Sequence, residues 1–282
     1  MNISIEVESG SMNLFESFIY SLTGEMTTPV PWGWFHIMWI FLTLGALLFL
    51  FLFRKKYNEK QLKIVLGTYG IVALILELLK QIMWSMNFDP QTNVVTWSYQ
   101  WYAAPFQLCT TPIYVSLICL FLKKGKVRDS LLSYMAFATI LGSVMTILLP
   151  DSCFVSDILV NIHTMFLHCG SLVVSVYILM NKEIDIKFKN LLSAFWVFLC
   201  FVCIAEFMNI AIYNSGILDD QTFNMFYISP YFVTHLPVYN FIQENTPFIV
   251  YLLFYIASIF IGALVIYGIA SILKFINQKI KS

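Results

Sequence analysis

Apolar residues run almost unbroken along most of this chain, and polar residues gather at the breaks. Seven windows, 34–53, 64–87, 103–122, 129–149, 158–180, 191–213 and 248–273, are apolar over about 20 residues, the length that crosses a hydrocarbon core of roughly 30 Å. Lipid offers backbone groups no partners, so each window predicts a helix.

The breaks sort by charge. Of 16 Lys and Arg, five fall between Arg54 and Lys63, four between Lys123 and Arg128, three between Lys182 and Lys189 and three between Lys274 and Lys281, leaving Lys80 inside a window. The N-terminal segment and the connections 88–102, 150–157 and 214–247 hold no Lys or Arg; they carry Glu6, Glu8, Glu16, Glu25, Asp89, Asp151, Asp157, Asp219, Asp220 and Glu244. Every alternate connection is basic, so by the positive-inside rule the N-terminus is outside and the C-terminus cytoplasmic. The predicted fold class is all-α: a polytopic membrane bundle of seven transmembrane helices. Composition agrees, with 59% hydrophobic and 11% charged residues, too few charges to cover a soluble globule. The expected location is a multi-pass position in a bacterial cytoplasmic membrane.

Residues 1–33 read as an extracytoplasmic segment in which "MNLFESFIYSLTGEM" forms an interfacial helix, and 34–282 as one seven-helix domain. The acidic N-terminus lacks a basic n-region and a small-residue cleavage pattern, so no signal peptide is expected. Five cysteines, Cys109, Cys119, Cys169, Cys200 and Cys203, lie in the windows and only Cys153 in an outer connection, which argues against a disulfide framework. The longest connection, 214–247, contains Pro230 and Pro237. It reads first as an interfacial loop and second as a lid folded over the outer mouth.

Ionisable groups inside a membrane are expensive and therefore functional candidates. This chain has His36, Glu77, Lys80, His163, His168 and Glu206 within its windows. At 1.5 Å per residue they and Cys109 all fall within roughly 5–15 Å of the outer surface, a layer built from five spans. Glu77 and Lys80, three apart, can pair on one helix; the bland alternative is helix-to-helix glue. His163 and His168 are five apart and cannot both face one point. Either histidine taken alone reads first as a structural hydrogen bond and second as a catalytic group.

The stretch "APFQLCTTPIY" at 104–114 breaks an otherwise apolar window. Pro105 suits a first helical turn, which would place Cys109 one turn in, where the dipole favours a thiolate. Pro112 would then free the Leu108 carbonyl beside the thiol, and Gln107 and Thr110 would supply donors for an oxyanion. A buried cysteine is also common as a small apolar residue, so both readings stand on these residues.

Together, "FHIMWI", the intramembrane Glu of the second window, "PFQLCTTPIY", "IHTMFLHCGSLVVSVYIL" and "FNMFYISP" resemble the YwaF-like bacterial membrane proteins and their eukaryotic relative, transmembrane protein 164. The similarity runs over almost the whole chain. It implies a cysteine-centred acyltransferase acting on lysophospholipids. The family's Pro, polar residue and Cys fall on Pro105, Gln107 and Cys109; its His, small residue and Tyr fall on His168, Ser175 and Tyr177; His36 and Asn224 match further positions. Gln107 and Thr110 depart from the eukaryotic pattern, as does Glu206, where that relative carries His.

The resemblance thus implies Cys109 as nucleophile and His168 as general base, with Gln107 or Asn224 holding the oxyanion and His36, Glu77, Lys80, His163 and Glu206 binding or orienting. Membrane phospholipid or lysophospholipid is the expected substrate, with no cofactor, no metal and no nucleic acid. The alternative is a transporter using the Glu, Lys and His layer, although no matched pair of Gly/Pro-interrupted helices marks inverted repeats.

Overall fold

The computed structural model describes residues 12–53, 58–89, 91–92, 94–150, 153–181 and 183–279. Of the charges used above for orientation, Arg54, Lys55, Lys56, Lys182, Lys281, Glu6, Glu8 and Asp151 lie outside the described residues. A short helix α1 (Leu14–Leu22) precedes the bundle. Then follow α2 (Trp34–Phe53), α3 (Glu59–Ser85), α4 (Thr111–Phe121), α5 (Lys126–Tyr134), α6 (Ile140–Leu148), α7 (Ile158–Met180), α8 (Phe188–Asn214), α9 (Pro237–Asn245) and α10 (Phe248–Lys279). One turn of π-helix, Met135–Thr139, joins α5 to α6 without a break. Among the described residues six helices, counting α5 to α6 as one, are long and apolar enough to cross a membrane, and α4 is a shorter apolar helix. The protein is an all-α membrane bundle, and the predicted helices stand except at one place.

That place is the third window. The sequence predicts a helix from 103, but Trp101–Ala103 forms a single 3₁₀ turn and the chain stays irregular to Thr110. Pro112 sits in the first turn of α4, where its missing N–H leaves nothing unsatisfied. Deeper in a helix its ring would clash with the carbonyl of Leu108. Pro112 therefore starts the helix rather than loosening it, and Cys109 lies ahead of the helix rather than one turn inside.

Asn13 with Glu16, and Asn58 with Gln61, cap α1 and α3 by reciprocal side-chain to backbone hydrogen bonds, the capping-box arrangement. In the bundle α7 is the hub, packing against α2, α3, α6 and the π turn; α3 also packs on α4, α5 on α8, and α10 on α6, α8 and the π turn. Gly170 brings α7 against Tyr69 of α3, since a Cβ there would stand 2.8 Å from the ring. Phe41, Leu48, Phe207 and Leu253 stay exposed on the outside of the helices, as a lipid solvent permits.

The two ends of the bundle differ. At one, α4 joins α5 and α7 joins α8 by short connections. At the other, strands β1 (Met86–Asp89) and β2 (Val94–Trp97) form an antiparallel hairpin with Met86 opposite Trp97, where the sequence predicts only a loop. The Asp89 carboxylate accepts from the Gln91 N–H and the Thr92 hydroxyl, both at 2.8 Å. The Gln91 N–H first, and then Thr92, hold its carboxyl below the usual range. α1 packs on this hairpin, with Tyr20 against Phe88 at 5.3 Å. The chain at 24–26 pairs with 156–158 through Met26 N–H to Ser156 O, 2.8 Å, and Ile158 N–H to Gly24 O, 3.0 Å.

The connection 214–247 is exposed at Ile217, Val233 and Phe241 and buried in its middle. Phe223, Met225, Phe226 and Ile228 are fully buried, so the chain folds back into the bundle, and this segment reaches the residues ahead of α4.

Candidate active site

The carboxylate of Glu77 is buried between helices and shared by its two oxygens. Oε1 lies 2.7 Å from the Lys80 ammonium one turn on, and Oε2 lies 2.7 Å from His163 Nε2 on α7, close but off the line of a good hydrogen bond. Gln81 donates to Glu77 Oε1 at 2.8 Å and to the Ala103 carbonyl at 2.5 Å, and Lys80 stands 5.5 Å from the Trp84 ring centroid. The predicted Glu77–Lys80 pair is therefore present, and it gains His163 as a third member. Gln81, which the sequence reading passed over, links the cluster to the irregular segment that carries Cys109.

Cys109 is half-buried against the core. It precedes Thr110, the N-cap residue of α4, so the positive end of the helix faces its vicinity. Two residues on, Thr111 Oγ1 lies 2.6 Å from the buried Tyr134 hydroxyl. The local backbone is tied down: Thr110 Oγ1 accepts from the Gln107 N–H at 3.0 Å and donates to the Gln107 carbonyl at 2.8 Å. Tyr114 donates its hydroxyl to the Pro105 carbonyl.

The two histidines of α7 face different ways, as their spacing predicts. His163 turns to Glu77 on α3. His168 shares a helix face with Ser171 and Ser175, three and seven residues on. Ser171 stands beside the Tyr69 hydroxyl, and Ser175 Oγ is 3.1 Å from Thr139 Oγ1 of the π turn. His168 thus lies on the side of α7 that meets the π turn, rotated away from the face that His163 and Gly170 turn to α3. Among the described residues no hydrogen bond joins His168 to Cys109.

Gln107 and Asn224 are both engaged in holding the folded-back segment. Gln107 Oε1 accepts from Phe226 N–H at 2.9 Å and its Nε2 donates to Asn224 O at 3.0 Å. Asn224 Nδ2 donates to Phe232 O and its Oδ1 accepts from Ser229 N–H. Asn209 grips the same turn from α8, through Met225 N–H at 2.7 Å and Met225 O at 3.1 Å. Phe226 and Tyr227 have φ of 58° and 60°, a left-handed conformation that side-chain-bearing residues adopt only when their surroundings impose it. These amides position the loop, each donating one of its two N–H groups to it.

His36 and Glu206 stand apart from the cluster. His36 is fully buried, its Nδ1 accepting from Trp32 N–H at 3.0 Å and its Nε2 lying 2.7 Å from the Ile147 carbonyl. A carbonyl only accepts, so this geometry fits the Nε2–H tautomer with both nitrogens in use, a bridge from α2 to α6. Glu206 lies on α8 beside Asn209, so the expected single layer from five spans resolves into a Glu77–Lys80–His163 cluster and two separate positions. Arg128, counted from sequence among the cytoplasmic charges, is instead 1% exposed and holds Glu59 at 2.5 and 2.8 Å and Glu183 at 2.9 Å. Its signal was an Arg just inside a helix start with acids elsewhere in sequence, which spacing alone does not pair.

No curated protein and no solved structure is significantly similar to the chain. The model of the TMEM164 family matches residues 31–270, a range that takes in α2 through most of α10, the Glu77 cluster, Cys109 and the folded-back segment, and the chain belongs to that family.

Proposed function

We propose that the protein is a membrane-embedded acyltransferase that moves a fatty acyl group between phospholipid and lysophospholipid through a thioester on Cys109. His168 takes the thiol proton as the sulfur attacks the ester carbonyl. The ester C–O bond then breaks, and the departing lysolipid oxygen takes that proton from His168. A second lysolipid hydroxyl, deprotonated by His168, attacks the thioester and releases the sulfur, which recovers the proton. The catalytic hydrogen bond from Cys109 to His168 forms with acyl lipid bound, as apo sites commonly require.

The observation that supports this reading is the place of Cys109: a half-buried thiol in front of a helix start, on the irregular segment that Gln81 ties to the buried ion cluster. The Glu77–Lys80–His163 cluster orients the segment through Gln81, and the buried turn at 225–227 closes the site against water, which transfer rather than hydrolysis requires. On the expected topology the acyl lipid belongs to the outer leaflet.

The test is transfer of acyl chains from phospholipid to a deuterated lysophospholipid in vesicles containing the purified protein. Cys109→Ser and His168→Ala each lower the rate by about 100-fold or more. Wild-type transfer by Cys109→Ser would end the enzyme reading and turn attention to transport through the buried cluster.

A further inference from the structure

Tyr134 is fully buried at the end of α5, immediately before the π turn, and the mechanism above gives it no role. Its hydroxyl lies 2.6 Å from Thr111 Oγ1, and Thr111 Oγ1 donates to the Leu108 carbonyl at 2.7 Å. Thr111 has one hydroxyl proton and directs it to Leu108, so Tyr134 must be the donor of the other bond. The result is a one-way chain from Tyr134 through Thr111 to the Leu108 carbonyl.

That carbonyl belongs to the same planar peptide group as the Cys109 N–H, and the two point in opposite directions. Fixing the carbonyl toward Thr111 therefore fixes the Cys109 N–H away from it. The N–H lies beside its own sulfur, and no other described residue accepts from it. The Gln107 carbonyl is held in the same way by Thr110 N–H at 3.0 Å and Thr110 Oγ1 at 2.8 Å. The Gln107 and Leu108 carbonyls are thus both restrained, which leaves the Cys109 N–H as a donor next to the thiol.

We propose that Tyr134, acting through Thr111, is a positioning residue that orients the Leu108–Cys109 peptide so that the Cys109 N–H meets the oxygen of an acyl carbonyl attacked by the thiol. This rests on the acyl-transfer reading of Cys109. The N–H replaces the side chains of Gln107 and Asn224 as donor to the developing oxyanion, the point where a preorganised donor acts most strongly. The π turn contributes by placing Tyr134 at the mouth of α4, in keeping with the frequent presence of such turns at functional sites.

Two measurements on the full-length protein in vesicles separate the proposal from the reading beneath it. The first is backbone hydrogen exchange over 105–112 in wild type, Tyr134→Phe, Thr111→Val and Thr111→Ser, with no lipid substrate involved. Exchange rises at least about tenfold in Tyr134→Phe and Thr111→Val, and Thr111→Ser, which keeps the hydroxyl, stays within about threefold of wild type; exchange unchanged in Tyr134→Phe would overturn the proposal whatever the protein catalyses. The second is the kcat and KM of acyl transfer. Tyr134→Phe and Thr111→Val lower kcat, by up to about 100-fold for a misplaced group, with KM within about twofold, and Thr111→Ser restores it. Loosened exchange with unchanged kcat would also overturn the oxyanion role, while unchanged transfer in Cys109→Ser would bring down the acyl-transfer reading and this proposal with it.

Discussion

Two ion clusters sit on α3, 18 residues apart, about 27 Å along the helix at 1.5 Å per residue; Glu59 of the first is exposed, and Glu77 of the second is buried. At the end with short connections, Glu59 and Glu183 converge on Arg128, tying the starts of α3 and α5 to the connection after α7. Its members all lie at or beside helix ends. At the hairpin end, Glu77 is divided between Lys80 and His163, and Gln81 carries the cluster onto the carbonyl of Ala103, a few residues ahead of Cys109. The chemistry of the two clusters is alike, and their surroundings separate a latch from a scaffold for a site. Both clusters bury charge, so on the proposed reading it is the irregular backbone carrying a thiol, beside the second cluster alone, that separates them.

The sharpest break of this comparison is Arg128→Ala, which leaves Glu183 with only the more distant Lys124 ammonium, 3.8 Å away. It lowers stability by about 3–5 kcal/mol, read as thermal unfolding in detergent, and leaves acyl transfer per folded molecule unchanged. Loss of specific activity in that variant would erase the distinction between the clusters. At the other end, Glu77→Gln and Lys80→Met each cost about 2–3 kcal/mol alone and also lower transfer. The double variant is more stable than either, because no buried charge is left unpaired; additive losses would show that the two residues do not act as a pair.

Smaller effects sharpen the contrast within the hairpin end. Asn209→Ala removes both grips on Met225 and costs about 1–3 kcal/mol, seen as faster hydrogen exchange confined to 223–229. Asn13→Ala, which removes the capping box of α1, costs about 1 kcal/mol or less and leaves transfer untouched. An equal effect of the two on transfer would show that α1 reaches the site.

Lipid thickness made the helices legible. The windows 34–53 and 158–180 coincide with α2 and α7, since a span must be long, apolar and uninterrupted. The start of α4 was not legible, because Pro105 and Pro112 are each acceptable in a first turn, and only the packing of 101–110 decides between them. The hairpin at 86–97 was missed because four-residue strands carry little periodicity. The Glu77–Lys80 pair follows from helical spacing, and the divergence of His163 and His168 from a rotation of roughly 140°. The grip of Gln107 on Phe226, 119 residues away, and the burial of Arg128 among distant acids lie beyond any local rule. So does the relay from Tyr134 to Leu108, which joins α5 to the segment ahead of α4.

The most direct test of the central claim is the intact mass and peptide map of the protein after incubation with phospholipid of defined acyl composition, comparing wild type with Cys109→Ser and His168→Ala. The account predicts an acyl adduct on Cys109 that accumulates in His168→Ala, matches the mass of the supplied chain, and is removed by added lysophospholipid in the wild type. An absence of any adduct on Cys109 in all conditions, with lipid turnover equal in wild type and Cys109→Ser, would contradict it.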